Sequence, residues 1–386
     1  MKNIKKYPIF LAFLAMGFGD AIGPFVGLAK EQFSLNNFQA QFIAFSGFIM
    51  FGLLSIPLGI FQDKHGKKRV LMIGLFIALS GLVIPLFGLK SYELFLLTTL
   101  LLGAGAATLQ VAGNPIMRDV SLPGKYSRNL SFGQFIKAIG SLSGSLIPFA
   151  AAKWFGAEWK ILFPIYVSTI IITIILIALT KIEEQQENKT IATFKSCFSL
   201  LKNRLVFLMV AGIFIYVGIE ICISTGVPIL LNSQYGIDLK TWGLLGNAFF
   251  FISIIIGRFF GAVILNWIKP KLFLKITSLV SVFGLGLIFT NIQTVVILGI
   301  FIVGLGFANI FPLIFSITVD YMPERSNEIS GLMVTAIVGG AFIPLIMGAL
   351  ADKVNILAGF YIPAIGLTYL IYIAFFLNRV TKPKLN

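Results

Sequence analysis

Residues that carry enzyme chemistry are scarce in this chain. Its 386 residues include one histidine, two cysteines and 15 acidic residues. The histidine, His65, lies in a basic loop, and no group of His, Cys, Asp or Glu has the spacing of a metal site. Cys197 and Cys222 do not indicate a disulfide framework, since one falls in a predicted loop and the other in a predicted helix. We therefore expect no catalytic residue, metal or cofactor, and the composition disfavours an enzyme.

Charged residues are also few, at 12% of the chain, whereas 58% of the residues are hydrophobic and the mean hydropathy is +0.95. Apolar runs of about twenty residues recur along the whole length, which is enough to cross the hydrocarbon core of a bilayer as a helix. The first run shows no cleavage signature, so we interpret it as a retained helix. The pattern predicts an all-α membrane protein with twelve spans, at residues 7–29, 40–62, 69–89, 92–117, 130–152, 160–180, 204–231, 241–265, 271–290, 292–319, 328–350 and 356–378.

Basic residues predict the orientation in the membrane. With a cytoplasmic N-terminus, 22 of the 30 lysines and arginines fall in cytoplasmic segments. Because cytoplasmic loops are enriched in bases, we predict a multi-pass protein of the cell (inner) membrane with both termini in the cytoplasm. The net charge of +15 is spread over seven short segments, which disfavours nucleic-acid binding. The opposite face carries only Lys30, Lys90, Lys153, Lys160, Lys240 and Lys353.

The chain divides into two related halves. We predict an N-terminal six-helix bundle at 1–180, a cytoplasmic linker at 181–203 and a C-terminal six-helix bundle at 204–386. Such pseudo-symmetric bundles are typical of transporters that rock around a substrate site near the bilayer midplane. The features that repeat are Asp20 with Glu220 at an offset of 200 residues, Gly103-Ala-Gly105 with Gly304-Leu-Gly306 at 201, and Ile147-Pro148 with Ile343-Pro344 at 196.

One short loop concentrates charge between the second and third spans. The sequence GIFQDKHGKKRV, residues 59–70, is interpreted as a conformational latch and is called the latch loop below. Gly59 permits close approach of a neighbouring helix, Asp63 accepts from a helix N-terminus or a base, and Gly66 allows a tight turn. The alternative is a basic loop that only sets orientation.

Basic residues complete this interpretation of the latch. Lys64 and Lys67 are predicted to face anionic lipid headgroups. Gly257-Arg258-Phe259-Phe260-Gly261 follows Gly59 at an offset of 198 residues and is interpreted as the degenerate counterpart in the second half. Arg258 is therefore assigned to the latch, with snorkelling toward the membrane surface as its structural alternative.

The latch loop resembles the G-x-x-x-D-(R/K)-x-G-(R/K)-(R/K) signature of the major facilitator superfamily. Further blocks are similar to the fucose-galactose-glucose:proton symporter family within it. The resemblance implies the major facilitator fold and uptake of a monosaccharide with protons by alternating access, without ATP or metal. The blocks are Asn36-Asn37-Phe38-Gln39-Ala40, Ala112-Gly113-Asn114-Pro115, Tyr216-Val217-Gly218 with Glu220, Gly257-Arg258-Phe259-x-Gly261, Phe311-Pro312-x-x-Phe315-Ser316, Val338-Gly339-Gly340 and Pro344-x-x-Gly-Ala.

The sequence departs from the family pattern at functional positions. Asp20 keeps the Asp-to-Pro spacing of the family, with about three extra residues before the next matching block. Gln110 stands where the family has a glutamate, so one coupling carboxylate is missing. Lys137 stands where the family tends to have asparagine, which places a positive charge at membrane depth.

Charges inside the predicted spans indicate a buried site. Asp20, Lys137, Glu220 and Arg258 each cost a few kcal/mol unless they face a cavity or a partner. A carboxylate in a partly desolvated cavity can load a proton on one side and release it on the other, so we predict Asp20 and Glu220 as proton-coupling residues. The alternative for each is a static ion pair. Lys137 either neutralises one of these acids or contacts the substrate directly.

Amide and hydroxyl groups inside spans complete the predicted site, because sugars offer hydrogen-bond partners at every hydroxyl. Gln110, Asn114 and Gln134 match family positions, whereas Asn247 and Asn309 could equally be helix-packing amides. The predicted substrate-binding residues are Gln110, Asn114, Gln134, Lys137, Tyr216, Asn247 and Asn309.

The expected function is a secondary active transporter that imports a hexose or deoxyhexose by proton symport. The expected partners are the sugar, protons and the lipid bilayer, and the protein is expected to be a monomer. Lys137 keeps open a transporter of an acidic sugar or small organic anion, and Gln110 keeps open a non-transporting membrane sugar sensor. A drug-type exporter rests only on the general resemblance to the superfamily.

Overall fold

Helices account for all the regular structure that is described. The computed structural model describes residues 7–120, 126–182, 193–238, 242–265, 267–322 and 325–377. Short 3₁₀ turns join some of the helices, among them Ala336–Val338. The helices are α1 (Tyr7–Asp20), α2 (Ile22–Gln32), α3 (Asn37–His65), α4 (Lys67–Val83), α5 (Tyr92–Asp119), α6 (Tyr126–Phe155), α7 (Leu162–Leu179), α8 (Phe194–Ser199), α9 (Arg204–Tyr235), α10 (Trp242–Ile264), α11 (Pro270–Ile288), α12 (Gln293–Phe307), α13 (Ile310–Tyr321), α14 (Ser326–Thr335), α15 (Gly339–Lys353), α16 (Ile356–Gly359) and α17 (Tyr361–Phe376).

The helices are long and apolar enough to cross a membrane. Among the described residues, ten stretches meet this condition, and the bent pair α1 and α2 makes an eleventh. The remaining predicted span, 241–265, corresponds to α10, whose apolar segment Ala248–Gly261 is shorter than the other spans. The prediction of an all-α membrane protein is confirmed, and ten to eleven of the twelve predicted spans are supported by length and composition.

Four predicted spans each consist of two helices among the described residues: α1 with α2, α12 with α13, α14 with α15, and α16 with α17. Two of these breaks adjoin residues of the cavity described below. The first is α1 and α2, which bend by 43° around Ala21. The other is α12 and α13, which are separated by Ala308 and Asn309. Pro312 has no backbone N–H to donate to the carbonyl of Ala308 four residues earlier, so the helical ladder is interrupted at this point. The apolar run continues through the proline, which is why hydropathy alone predicted one uninterrupted span.

Glycines let neighbouring helices approach closely within each half. A Cβ atom placed on Gly103 of α5 would lie 2.0 Å from the carbonyl oxygen of Gly47 on α3. In the C-terminal half, a Cβ on Gly304 of α12 would lie 2.7 Å from the carbonyl oxygen of Phe250 on α10. Small residues at such contacts allow the backbones to pack without intervening side chains. The paired glycine motifs therefore serve helix packing in both halves.

Three pairs of helices make the most extensive contacts between the two halves among the described residues. Helix α3 packs against α15, α6 against α10, and α2 against α9. At the last of these contacts, a Cβ on Gly23 would lie 1.9 Å from the hydroxyl oxygen of Ser224, so α2 and α9 are pressed together. These contacts surround the end of α1 and the middle of α9, which carry Asp20 and Glu220.

Candidate functional site

A polar cavity lies between the two halves. It spans about 740 Å³ of space, including the part that is open to solvent. Both halves contribute to its wall, through α1, α3, α5 and α6 on one side and α9, α10 and α13 on the other. The wall consists of Asp20, Phe48, Phe51, Gln110, Gln134, Lys137, Ala138, Ser141, Tyr216, Val217, Glu220, Ile221, Ser224, Phe251, Ile254, Arg258, Phe311 and Ile337.

Charges of both signs line this cavity in equal number. Two acids, Asp20 and Glu220, face the same space as two bases, Lys137 and Arg258. Each half supplies one acid and one base, so the formal charge of the described wall is balanced within each half. The sequence predicted that Asp20 and Glu220 belong to a buried site, and the structure brings these two residues into one cavity.

Asp20 is paired with a base on a neighbouring helix. The Nζ atom of Lys137 lies 2.9 Å from Oδ2 of Asp20, and the two side chains are 13% and 26% exposed respectively. Lys137 also donates to Oε1 of Gln110 at 3.2 Å, and the Ser141 hydroxyl donates to Oδ2 of Asp20 at 3.4 Å. Lys137 therefore makes the contact with Asp20 that one of its two predicted roles requires, and its contact with substrate stays a prediction.

Close packing of α1 on α6 positions this ion pair. A Cβ on Gly17 would lie 2.1 Å from the carbonyl oxygen of Lys137, and one on Gly140 would lie 2.3 Å from the carbonyl oxygen of Leu14. Gly17 is three residues before Asp20 and therefore lies on the same helix face. The two backbones touch one turn from the charged groups, which brings the Asp20 and Lys137 side chains within reach of each other.

The C-terminal wall is built around the break between α12 and α13. The Tyr216 hydroxyl donates to the carbonyl of Phe307 at 2.9 Å, and Nε of Arg258 lies 3.4 Å from the carbonyl oxygen of Ala308. The latter carbonyl is the one that Pro312 cannot satisfy. Tyr216 and Arg258, both in the cavity wall, thus donate hydrogen bonds to backbone carbonyls at the break in this span. In transporters, substrate and ion sites are typically formed at such discontinuous helices.

Asn309 belongs to helix packing and does not line the cavity wall. Its Nδ2 atom donates to the carbonyl of Gly257 at 2.7 Å, and the residue is 6% exposed. A Cβ on Gly261 would lie 2.3 Å from Oδ1 of Asn309. The assignment of Asn309 to the substrate is therefore corrected, because its amide joins α10 to the helix break.

Arg258 requires a second correction. The sequence assigned it to the latch near the membrane surface, whereas the structure places it in the cavity wall with Glu220. The predicted position near the membrane surface is wrong because α10 continues to Ile264, which leaves Arg258 about 9 Å from the helix end at 1.5 Å per residue. The latch role of Arg258 stays a prediction. The charge at membrane depth was the signal that could have identified it as a cavity residue.

The remaining predicted cavity residues divide into two groups. Gln110, Gln134 and Tyr216 lie in the wall with Lys137. The side chains of Asn114 and Asn247 lie outside the described residues. Ser141 was not predicted, although it is four residues after Lys137 and therefore on the same helix face.

The latch loop shows partial agreement with its predicted geometry. Gly66 has φ of +90°, a conformation that favours glycine, and it joins α3 to α4 as the predicted tight turn. A Cβ on Gly59 would have no described atom within 4 Å, so Gly59 makes no close helix contact in this conformation, and its role in the latch stays a prediction. Nζ of Lys67 lies 2.7 Å from Oδ2 of Asp119 at the end of α5, so Lys67 joins two helices of its own half. The side chains of Asp63 and Lys64 lie outside the described residues.

The fold and the cavity define a polytopic membrane protein with a polar chamber between two helical halves. A family model of the Major Facilitator Superfamily matches residues 9–337. The chain belongs to the major facilitator superfamily.

Named relatives and a solved structure agree with this assignment. A glucose/galactose transporter of Brucella abortus is 28% identical over 355 residues, covering 89% of this chain and 86% of the relative. An L-fucose-proton symporter of Escherichia coli is 26% identical over 374 residues, covering 87% and 84%. The crystal structure of the Escherichia coli fucose:proton symporter superposes with a TM-score of 0.71 over 97% of this chain and 98% of that one, at 19% identity. The resemblance to the fucose-galactose-glucose:proton symporter family is confirmed.

Proposed function

We propose that the chain is a secondary active transporter that imports a neutral hexose or deoxyhexose together with protons by alternating access. The observation that carries this proposal is the charge-balanced cavity between the halves, which holds an acid from each half beside hydrogen-bonding amides. Relatives named as glucose/galactose transporters and L-fucose-proton symporters support the substrate class and the coupling ion.

In this proposal the polar wall binds the sugar. Gln110 and Gln134 donate to and accept from sugar hydroxyls, and Phe48, Phe51 and Phe311 offer apolar faces to the ring. Gln110 accepts from Lys137 through its amide oxygen, which leaves its amide NH₂ group to donate to a sugar hydroxyl. Asp20 and Glu220 are the proton-coupling acids. The chain acts as a monomer, in two bundles at 1–180 and 204–386 joined by the linker at 181–203.

An anionic substrate is the second candidate, and Lys137 is the residue that would favour it. Nζ of Lys137 is engaged by Asp20 at 2.9 Å and by Gln110 at 3.2 Å. Its charge is therefore already compensated inside the cavity. A neutral sugar can bind without breaking this ion pair, whereas a carboxylate would compete with Asp20 for the same ammonium group.

An uptake assay tests the proposal. Cells that express the chain are expected to accumulate labelled glucose, galactose or fucose and to alkalinise a weakly buffered medium when the sugar is added. Uptake of uronic acids alone would favour the anion transporter. Binding without uptake or pH change would favour a sugar sensor.

Glu220→Gln separates coupling from binding. We expect this variant to lose accumulation against a gradient, by at least about tenfold, while exchange of internal for external sugar continues, because a neutral amide cannot carry the proton. Glu158→Gln is the matched control, since Glu158 is an exposed acid outside the cavity. Full accumulation by Glu220→Gln would remove Glu220 from the coupling role.

A further inference from the structure

The N-terminus of α3 is completed by a residue of the other half. Asn36 caps this helix in the usual way, since its side chain accepts from the backbone N–H of Gln39. The N–H groups of Asn37 and Phe38 donate instead to the two carboxylate oxygens of Asp352, each at 2.8 Å. The side-chain amide of Asn37 donates to Asp352 as well, at 2.6 Å. Three hydrogen bonds therefore join the start of α3 to the end of α15.

The contact is favourable because a carboxylate meets the positive end of a helix. The first N–H groups of a helix have no partner within it, and an anion at this position makes charge-assisted hydrogen bonds to them. Lys30, near the end of α2, donates to Oδ1 of the same Asn37 side chain. The Asp352 carboxylate thus lies at the centre of a polar network that includes elements of both halves.

Helix α3 also packs tightly on α15 at residues that follow Asn37 in the chain. A Cβ on Gly348 would lie 2.8 Å from the carbonyl oxygen of Asn37, and the rings of Phe45 and Phe342 are 5.7 Å apart. A Cβ on Gly52 would lie 2.7 Å from Val338. Further along α3, a Cβ on Gly59 would have no neighbour within 4 Å. The two halves are therefore in close contact at the Asp352 end of α3.

One buried polar atom disfavours this contact between α3 and α15. Oε1 of Gln41 is buried, and no donor among the described residues reaches it. Gln41 lies against the same glycine, since a Cβ on Gly348 would be 2.9 Å from its Cγ. A buried acceptor without a partner disfavours the closed arrangement relative to one that admits water. The hydrogen bonds of Asp352 oppose this tendency to open.

We propose that Asp352 closes one gate of the transport cycle by capping α3 of the opposite half, and that the gate opens when these three hydrogen bonds are exchanged for water. The proposal rests on the proposed alternating access between the two halves. It assigns Asp352 as a positioning residue, which touches neither sugar nor proton-coupling acid and sets how long this face of the cavity stays shut.

A cysteine in the cavity tests the gate. Ala138 lines the cavity, so Ala138→Cys in a Cys197→Ser/Cys222→Ser background reports access to it. A membrane-impermeant maleimide is applied to intact cells and, separately, to inside-out vesicles. We expect Asp352→Ala to raise the labelling rate from one side about three- to tenfold and to lower it from the other. Labelling rates unchanged on both sides overturn the proposal.

A reciprocal exchange keeps the test informative if Asp352→Ala does not reach the membrane. Asn37→Asp places two carboxylates in contact and is expected to increase labelling in the same direction. Adding Asp352→Asn restores an amide and a carboxylate across the gate, and labelling is expected to return toward the parent rate. Failure of the second substitution to reverse the first contradicts the proposal.

Glu158→Gln is the matched control for both designs. Glu158 is an exposed acid in the turn between α6 and α7, and its partner Lys160 belongs to the same half. Its removal is expected to leave labelling unchanged. The labelling needs neither sugar nor a proton gradient, so it reports on the gate even if the uptake assay fails. Normal uptake with unaltered labelling would reject the gate and leave the proposed transport function standing.

Discussion

At the scale of single residues, the acid that the N-terminal half contributes to the cavity is paired with a base of the same half. Asp20 and Lys137 lie on different helices and approach to 2.9 Å, with Ser141 and Gln110 completing the network. Removing one member of a buried pair leaves an uncompensated charge, which is more unfavourable than removing both. The coupling free energy of the pair can therefore be measured from the stability of single and double variants, without knowledge of the substrate.

We expect Asp20→Asn and Lys137→Gln each to destabilise the purified protein, and the double variant to lose less stability than the two single variants together. The coupling free energy is expected to be about 1–3 kcal/mol, because both side chains are mostly buried but face a polar cavity. Unfolding temperatures in detergent provide the measurement. The exposed pair Glu158 and Lys160, with side chains 76% and 35% exposed, is the control and should show almost no coupling. Additive effects at Asp20 and Lys137 would contradict the pairing.

At the scale of elements, the break between α12 and α13 depends on a buried amide. Asn309 donates to Gly257 of α10, and a Cβ on Gly261 would collide with its side chain. The contact fixes the position of the broken span relative to α10. Because Asn309 is not in the cavity wall, its loss should affect stability and not sugar recognition.

We expect Asn309→Ala to lower the free energy of unfolding by about 1–2 kcal/mol, through loss of a buried hydrogen bond, while sugar affinity changes less than twofold. Gly261→Ala is expected to destabilise the protein through the clash, and Asn309→Ala should relieve part of that effect in the double variant. Thermal unfolding and equilibrium sugar binding are the two measurements. A large loss of affinity in Asn309→Ala would return this residue to the substrate site.

Helix α8, which lies inside the predicted linker, contacts the start of α14. Arg325 donates to Glu328 at 2.9 Å and to the carbonyl of Ser196 at 3.0 Å. The hydrogen bonds from Arg325 hold the pKa of Glu328 below its ordinary value of 4.5. Next to Ser196, burial and the negative charge of Glu328 raise the pKa of the Cys197 thiol. Helix α8 is thereby held against the start of α14 by a charge-assisted hydrogen bond.

We expect the contribution of Glu328 to stability to depend on pH in one direction. Because its pKa is lower in the folded state than in the unfolded state, the contribution is complete above the ordinary value of 4.5 and is lost as the pH falls through the lowered value. The difference in unfolding temperature between the wild type and Glu328→Gln should therefore be constant from about pH 5 to 8 and shrink at lower pH. Glu158→Gln serves as the exposed control. A difference that persists unchanged in acid would contradict this account.

At the scale of the whole molecule, the asymmetry of basic residues predicts that both termini are cytoplasmic. The helices alternate in direction, so the turn after His65 and the turn after Lys353 should lie on opposite faces of the membrane. The first of these turns carries the basic residues of the latch loop, and the second follows Asp352. Orientation thus decides which face of the cavity the proposed Asp352 gate controls.

We expect alkaline phosphatase fused after residue 377 to be inactive in cells, and the same enzyme inserted after residue 354 to be active, since it requires an exported location. A fluorescent protein that matures only in the cytoplasm should give the opposite pattern. Phosphatase activity from the C-terminal fusion would reverse the predicted orientation. The Asp352 gate would then face the cytoplasm, and its labelling test would remain valid with the two sides exchanged.

The sequence determined the class of protein, most of the helices and the family, because run length, hydropathy and motif order are local properties of the chain. It also indicated that Asp20 and Glu220 belong to a buried site, since charges inside apolar runs are rare, and both line the cavity. Their role in proton coupling stays a prediction. The sequence could not place the breaks at Ala21 and Ala308, because the apolar runs continue through them. The tertiary structure alone showed that Lys137 pairs with Asp20 and that Arg258 faces the cavity.

The tertiary structure also decided that Asn309 packs between helices. It brings Asp352 into hydrogen-bond contact with Asn37, although the two residues are 315 positions apart in the sequence. The physical reason is that a polar residue inside a span can satisfy itself with a neighbouring helix, a cavity or a ligand. Which of these it meets depends on the rotation and register of the packed helices. Those are fixed by contacts such as the one between Gly17 and Lys137, which join residues far apart in the chain.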